Sequence, residues 1–138
     1  MGGKTYFCNK NIVYMLNSFQ SYLSSRNVRF DIRSNTVISF ENNSYNYMFV
    51  FDESDPFYFR LILPNVFNVT EANKQDMYET INRMNTEIKA AKATIINNAV
   101  WVSIEQFVYS RDKIDELFNR AISVLEAFVN RFRSENKD

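Results

Sequence analysis

Between residues 45 and 63 the chain carries two stretches that leave few folds open to it. From Tyr45 to Asp52 one side of a strand presents Tyr45, Tyr47, Phe49 and Phe51 and the other presents Met48 and Val50. Side chains alternate across a strand, so this one is apolar on both faces. Neither face should be left to water. Either helices cover both faces of its sheet, or a second subunit covers one. Residues 57–63 predict its partner strand, joined through Glu53-Ser54-Asp55-Pro56, where acidic residues suit a turn and proline denies a ladder hydrogen bond.

The rest of the chain supplies helices around these strands. Ile12, Leu16, Phe19 and Leu23 follow the 4-3-4 spacing of one helical face and predict a helix over about residues 10–25, with Asn9 or Asn11 as cap. The period then drops to two. Val28, Phe30 and Ile32, then residues 37–40, predict a hairpin about Ser34-Asn35. After Leu63-Pro64 a polar loop is expected, and Thr70-Glu71 opens a helix carrying Met77, Ile81, Met84, Ile88 and Ala91 at 4-3-4-3 spacing. Residues 93–96 and 100–108 predict a third hairpin about Asn97-Asn98, a pair tolerant of the positive φ of a tight turn. Ser110 is placed to cap the last helix. Its Ile114, Leu117, Phe118, Ala121, Val124, Leu125, Phe128 and Phe132 form a wide apolar face, expected to be the main helical cover of the sheet. The order α-β-β-β-β-α-β-β-α gives an α+β class, an antiparallel sheet with flanking helices, in a single domain over residues 1–138.

Composition removes several functions. Lys+Arg and Asp+Glu are both 16, with 6 basic and 5 acidic side chains in residues 1–69 and 10 and 11 in residues 70–138. No net field draws the chain to nucleic acid or to an anionic membrane. With no histidine, two glycines and the single cysteine Cys8, it lacks the parts of a Ser-His-Asp or Cys-His site, a zinc finger, an internal disulfide or a phosphate-cradling loop. Neither a metal nor a cofactor is expected. An apolar run such as Tyr47 to Phe51, which no other run exceeds, is far below the ~18 residues that span a bilayer. The first residues carry no apolar signal segment, and Tyr6 stands where a myristoylation motif wants Ser or Thr. A cytoplasmic protein is expected. The 18 asparagines are scattered, which reads as genome composition rather than a prion-like tract.

Few residues suggest a site. Asp52, Glu53 and Asp55 fall in a turn, where solvated carboxylates are ordinary, and lack the glycine and distal glutamate of an EF-hand loop. Arg60 lies mid-strand and by alternation shares a face with Tyr58 and Ile62; it is read as a snorkelling or ion-paired residue before a ligand-binding one. Trp101 reads as a core or interface aromatic. Met77, Ile81, Met84 and Ile88 form a narrow seam, suited either to a symmetry-related copy in a dimer or to this chain's own sheet.

The stretch from Phe57 to Phe132, with its Leu61-Ile62-Leu63-Pro64 strand end, the helix carrying Ile81-Asn82-Arg83-Met84-Asn85, the hairpin around Ala99-Val100-Trp101-Val102 and a long final helix, resembles the YbjN-like family. That family is described as bacterial sensory transduction regulators, with a fold similar to type III secretion chaperones. Those chaperones are commonly acidic, and this chain is neutral. The resemblance implies a non-enzymatic, dimeric module that binds an unidentified protein through exposed apolar surface or a sheet edge. Met77, Ile81, Met84, Ile88 and the strand aromatics are the candidate contacts. Two alternatives stand beside it. One is a small-molecule sensor in which Phe49, Phe51, Phe59 and Trp101 line an apolar cavity and Arg60 or a tyrosine orients the ligand. The other is a structural subunit of a larger assembly.

Overall fold

The computed structural model describes residues 15–136. The proposed first caps Asn9 and Asn11, along with Ile12 and Cys8, lie outside the described residues. Helix α1 covers residues 15–25 and buries Met15, Phe19, Tyr22 and Leu23. It stops because Asn27 takes φ 56°, while Val28 N–H bonds Leu23 C=O and Asn27 N–H bonds Ser24 C=O. This is a Schellman stop with asparagine in the place glycine usually holds.

Four antiparallel strands follow: β1 (Phe30–Ser34), β2 (Val37–Asn42), β3 (Tyr45–Asp52) and β4 (Asp55–Asn68). Helix α2 (Lys74–Glu87), the hairpin β5 (Lys92–Ile96) and β6 (Ala99–Phe107), and α3 (Ile114–Glu135) complete the chain. The sheet has six strands in the order β1-β2-β3-β4-β6-β5. The α+β class and the element order are those the sequence predicts.

Three boundaries differ. The loop expected after Pro64 is strand: β4 continues to Asn68 across a register shift between Leu63 and Phe67, with Asn65 at φ 53°. Proline is tolerated where the ladder is already interrupted, so Pro64 sits at the bulge. Helix α2 begins at Lys74, not near Thr70. Thr70 and Asn73 instead bond each other, backbone N–H to side-chain oxygen in both directions, closing a turn ahead of the helix. Ser110 does not cap α3 either. Its hydroxyl accepts from Asp112 N–H, and the position preceding the helix is Lys113 at φ 59°.

The paired strand residues of the core cluster lie on one face, where they meet α1, α2 and α3. Phe19 of α1 stacks on Phe49 at 3.8 Å, and Phe118 of α3 meets Phe19, Phe49 and Phe59 edge-on at 4.8, 5.6 and 5.6 Å. Such pairs add about 1 kcal/mol each beyond the area they bury. Helix α3 is the main cover, burying Phe118, Ala121, Ile122, Leu125, Phe128, Val129 and Phe132. Helix α2 is fastened beside it by Arg83 to Glu135 at 3.1 Å and Arg131 to Glu87.

Candidate protein-contact surface

The covered face contains a polar centre at Tyr47. Tyr47 is buried, and its phenol donates to Glu126 Oε1 of α3 at 3.0 Å, while Asn42 and Asn43 donate to the same carboxylate. Burial, reinforced by the Glu126 charge, drives the Tyr47 phenol far above its ordinary range. This centre ties the β2–β3 turn to α3. It is a structural lock whose members are already satisfied.

The sequence-derived candidates separate. Met77, Ile81 and Met84 are buried within the chain's own core, and Ile88 packs against it just past the end of α2. Met77, Ile81 and Met84 thus contribute to this chain's own core, while Ile88 is half-buried. Phe49, Phe51 and Phe59 are core residues, at most 5% exposed, stacked or edge-on with their neighbours. Arg60 and Trp101 lie on the opposite face of the sheet by register. The five residues expected to share one cavity thus cannot do so. Close aromatic contact fills the space on one side, and the sheet itself separates the other two. A hollow of about 510 Å³ does open on the uncovered face, lined by Asp31, Arg33, Ser39, Glu41, Met48 and Pro64 among others, and none of the five lines it.

That uncovered face carries Val37 and Ser39 of β2, Met48 and Val50 of β3, Tyr58, Arg60 and Ile62 of β4, and Trp101, Ser103 and Glu105 of β6. Ile62 alone among these is buried, and it stands outside the core cluster. Arg60 buries its Nε–H without a hydrogen-bond partner among the described residues. Trp101 donates its indole N–H to Asn65 at the β4 bulge, 3.2 Å away. Tyr58 donates to Glu105 across the strands, and burial followed by that bond pushes its phenol up to about 12.

Sequence reasoning missed the most exposed aromatic group. At one end of the sheet Phe57, Phe107 and Tyr109 are 42%, 60% and 75% exposed. Their rings lie 5.2 Å (Phe57 to Tyr109) and 6.2 Å (Phe107 to Tyr109) apart, and Tyr58 joins Phe107 at 6.1 Å. The signal was present. Phe57 and Phe107 fall at the outer ends of their apolar runs, beyond the reach of any helix stripe. The neighbouring acidic set builds the adjoining turn: Asp52 accepts from Ser54 N–H and hydroxyl, which holds its carboxyl below the usual range, and Asp55 accepts from Phe57 N–H. No group of three metal-ligating side chains occurs among the described residues, and none of their helices is long and apolar enough to cross a membrane.

Fold and surface together define an α+β protein whose antiparallel sheet, among the described residues, is covered by helices on one side. The crystal structure of YbjN from E. coli, proposed to be a transcription regulator, has a similar fold: TM-score 0.67 at 8% identity, covering 87% of this chain and 92% of that one. Neither a protein-family model nor a curated protein matches the sequence.

Proposed function

We propose that this chain is a non-enzymatic protein-binding module with a regulatory role. The observation that carries the reading is the group of exposed rings, Phe57, Phe107 and Tyr109, held side by side in a chain that already buries a large core. Exposed aromatic clusters of this kind lose free energy by staying in water and are typical anchors of protein interfaces. Apart from the phenols of Tyr22 and Tyr47, the buried side chains among the described residues are apolar, and these two phenols alone offer no convergent polar set for catalysis. The fold shared with a proposed regulator is consistent with this reading.

A fluorescently labelled, permanently unfolded polypeptide, reduced α-lactalbumin, tests it by polarisation. Binding is expected, weakened at least tenfold by Phe57→Ser, Phe107→Ser and Tyr109→Ser together. Equal binding by the triple variant would remove the cluster from the function.

A homodimer is the second part of the proposal. The half-buried row of Val37, Met48, Val50 and Trp101 on the uncovered face is its contact, since a second copy would supply the cover that the helices do not. Light scattering should give twice 16.4 kDa, falling to one chain's mass when Met48 and Val50 are both replaced by Glu.

A further inference from the structure

We propose that an extended polypeptide segment binds by adding as a strand to the free end of β6, with its side chains entering the groove between β6 and α3; this rests on the protein-binding reading above. The argument starts from which strand edges are already satisfied. In antiparallel pairing alternate residues turn their N–H and C=O to opposite sides. Val108 N–H bonds Phe57 C=O on the β4 side, and Gln106 stands opposite Phe59 in the same register. Glu105 and Phe107 therefore direct their backbone groups to the other side, where β5 would lie. But β5 begins at Lys92, opposite Ser103, and reaches no further. Two N–H and two C=O groups of β6 thus have no strand beside them among the described residues.

The two outer strands are protected, and this stretch is not. On β5 the side chain of Asn85 in α2 imitates a neighbouring strand: its amide donates to Ala93 C=O at 3.0 Å and accepts from Ala93 N–H at 2.8 Å. On β1 a register shift between Ile32 and Ser34 interrupts the ladder, and Asp31 and Arg33 place charges at the rim. Irregularity and charge are the usual defences of an edge. The end of β6 has aromatic rings instead, Phe107 on the strand and Tyr109 just after it.

Beside this edge, on the helical side, a groove of about 310 Å³ runs between β6 and α3, lined by Ile104, Gln106, Leu117, Ala121, Val124 and Arg120 with Ala90. Arg120 has no ion-pair partner among the described residues. The ligand these features fit is an extended segment with aliphatic residues at alternate positions, facing the groove, and a carboxylate within reach of Arg120.

The test begins by selecting heptapeptides from a random phage-displayed library on the full chain. The strongest peptide is then measured against two variants at one position, of which only the second removes the backbone N–H, putting the proline ring in its place. Glu105→Ala removes the side chain and keeps the N–H; Glu105→Pro removes the N–H, which β4 does not use. Glu105→Ala should bind within twofold of the wild type, and Glu105→Pro at least tenfold more weakly. In the wild-type chain, saturating peptide should slow amide hydrogen exchange at Glu105 and Phe107 at least tenfold, a readout that no folding defect of a variant can imitate. Equal affinity of both variants, with no added protection at those amides, would overturn strand addition while leaving the protein-binding reading intact. Failure to select any peptide would count against both.

Discussion

Met48 and Phe49 are neighbours on β3, yet they inhabit different proteins in all but sequence. Phe49 is fully buried among four aromatic rings, whereas Met48 stands half-buried on a face that no helix of the described residues covers. Both faces of β3 are apolar, so apolarity alone does not say which is covered. Size and company do. The covered face of β2, β3 and β4 holds Phe40, Tyr47, Phe49, Phe51 and Phe59, while the opposite face mixes Val37, Met48 and Val50 with Ser39 and Arg60. Large rings need facing atoms from another layer to be worth burying, and α1 and α3 supply them through Phe19 and Phe118.

The contrast can be broken most forcefully by charge. Glu at both Ile81 and Met84 should abolish the folded state, seen as loss of cooperative unfolding by circular dichroism, because two carboxylates would be buried without partners. A folded chain carrying both would show that the α2 seam is surface after all. The same double replacement at Met48 and Val50 should leave the chain folded. Next in size, Phe49→Ala should lower stability by about 3–5 kcal/mol in denaturant titrations. Met48→Ala, one residue away, should cost about 1 kcal/mol or less. A similar cost at both sites would mean that the uncovered face is packed in solution.

Tyr47 sharpens the comparison through pH. Its phenol is raised above the ordinary 10.0, so the folded chain keeps a proton that the unfolded chain releases. The sign follows directly: this contribution is complete below about pH 10, and stability falls as pH rises beyond it. Tyr22 and Tyr58 shift in the same direction. Tyr47→Phe should cost about 1 kcal/mol at neutral pH through the lost bond to Glu126. Above pH 10 it should also reduce the alkaline slope by up to about 1.4 kcal/mol per pH unit, measured as unfolding midpoints between pH 9 and 11. The smallest effect belongs to the exposed rings: Phe107→Ser should change stability by no more than about 0.5 kcal/mol.

Periodicity made the element order legible because each helix and hairpin keeps its own repeat: Phe19 to Leu23, Tyr45 to Phe51 and Phe118 to Phe132 report the covered face directly. The positive φ expected at Asn97-Asn98 is observed, but irregular backbone within or just ahead of the elements was not legible. The extension of β4 past Pro64 depends on Asn65 adopting positive φ, and the late start of α2 depends on Thr70 and Asn73 bonding each other rather than the helix. The candidate site was read less well. Alternation gives Arg60 its observed face, but a grouping by residue type does not separate Trp101 from rings on the other side of the sheet. The contact role of Phe57, Phe107 and Tyr109 depends on where β4, β6 and the loop before α3 end in space, which no single periodic segment records.

Of the eight non-glycine residues with positive φ among those described, five are asparagine: Asn27, Asn43, Asn65, Asn97 and Asn98. The abundance of asparagine is therefore more than a mark of genome composition, since at these places it does the conformational work of glycine, whose two copies in the chain are Gly2 and Gly3. The consequence falls on the unfolded chain. A glycine at each turn would leave more backbone states to lose on folding, whereas asparagine carries a side chain that removes many of them. Each turn thus accepts some left-handed strain in the native state, and in return the disordered chain begins with fewer conformations to surrender.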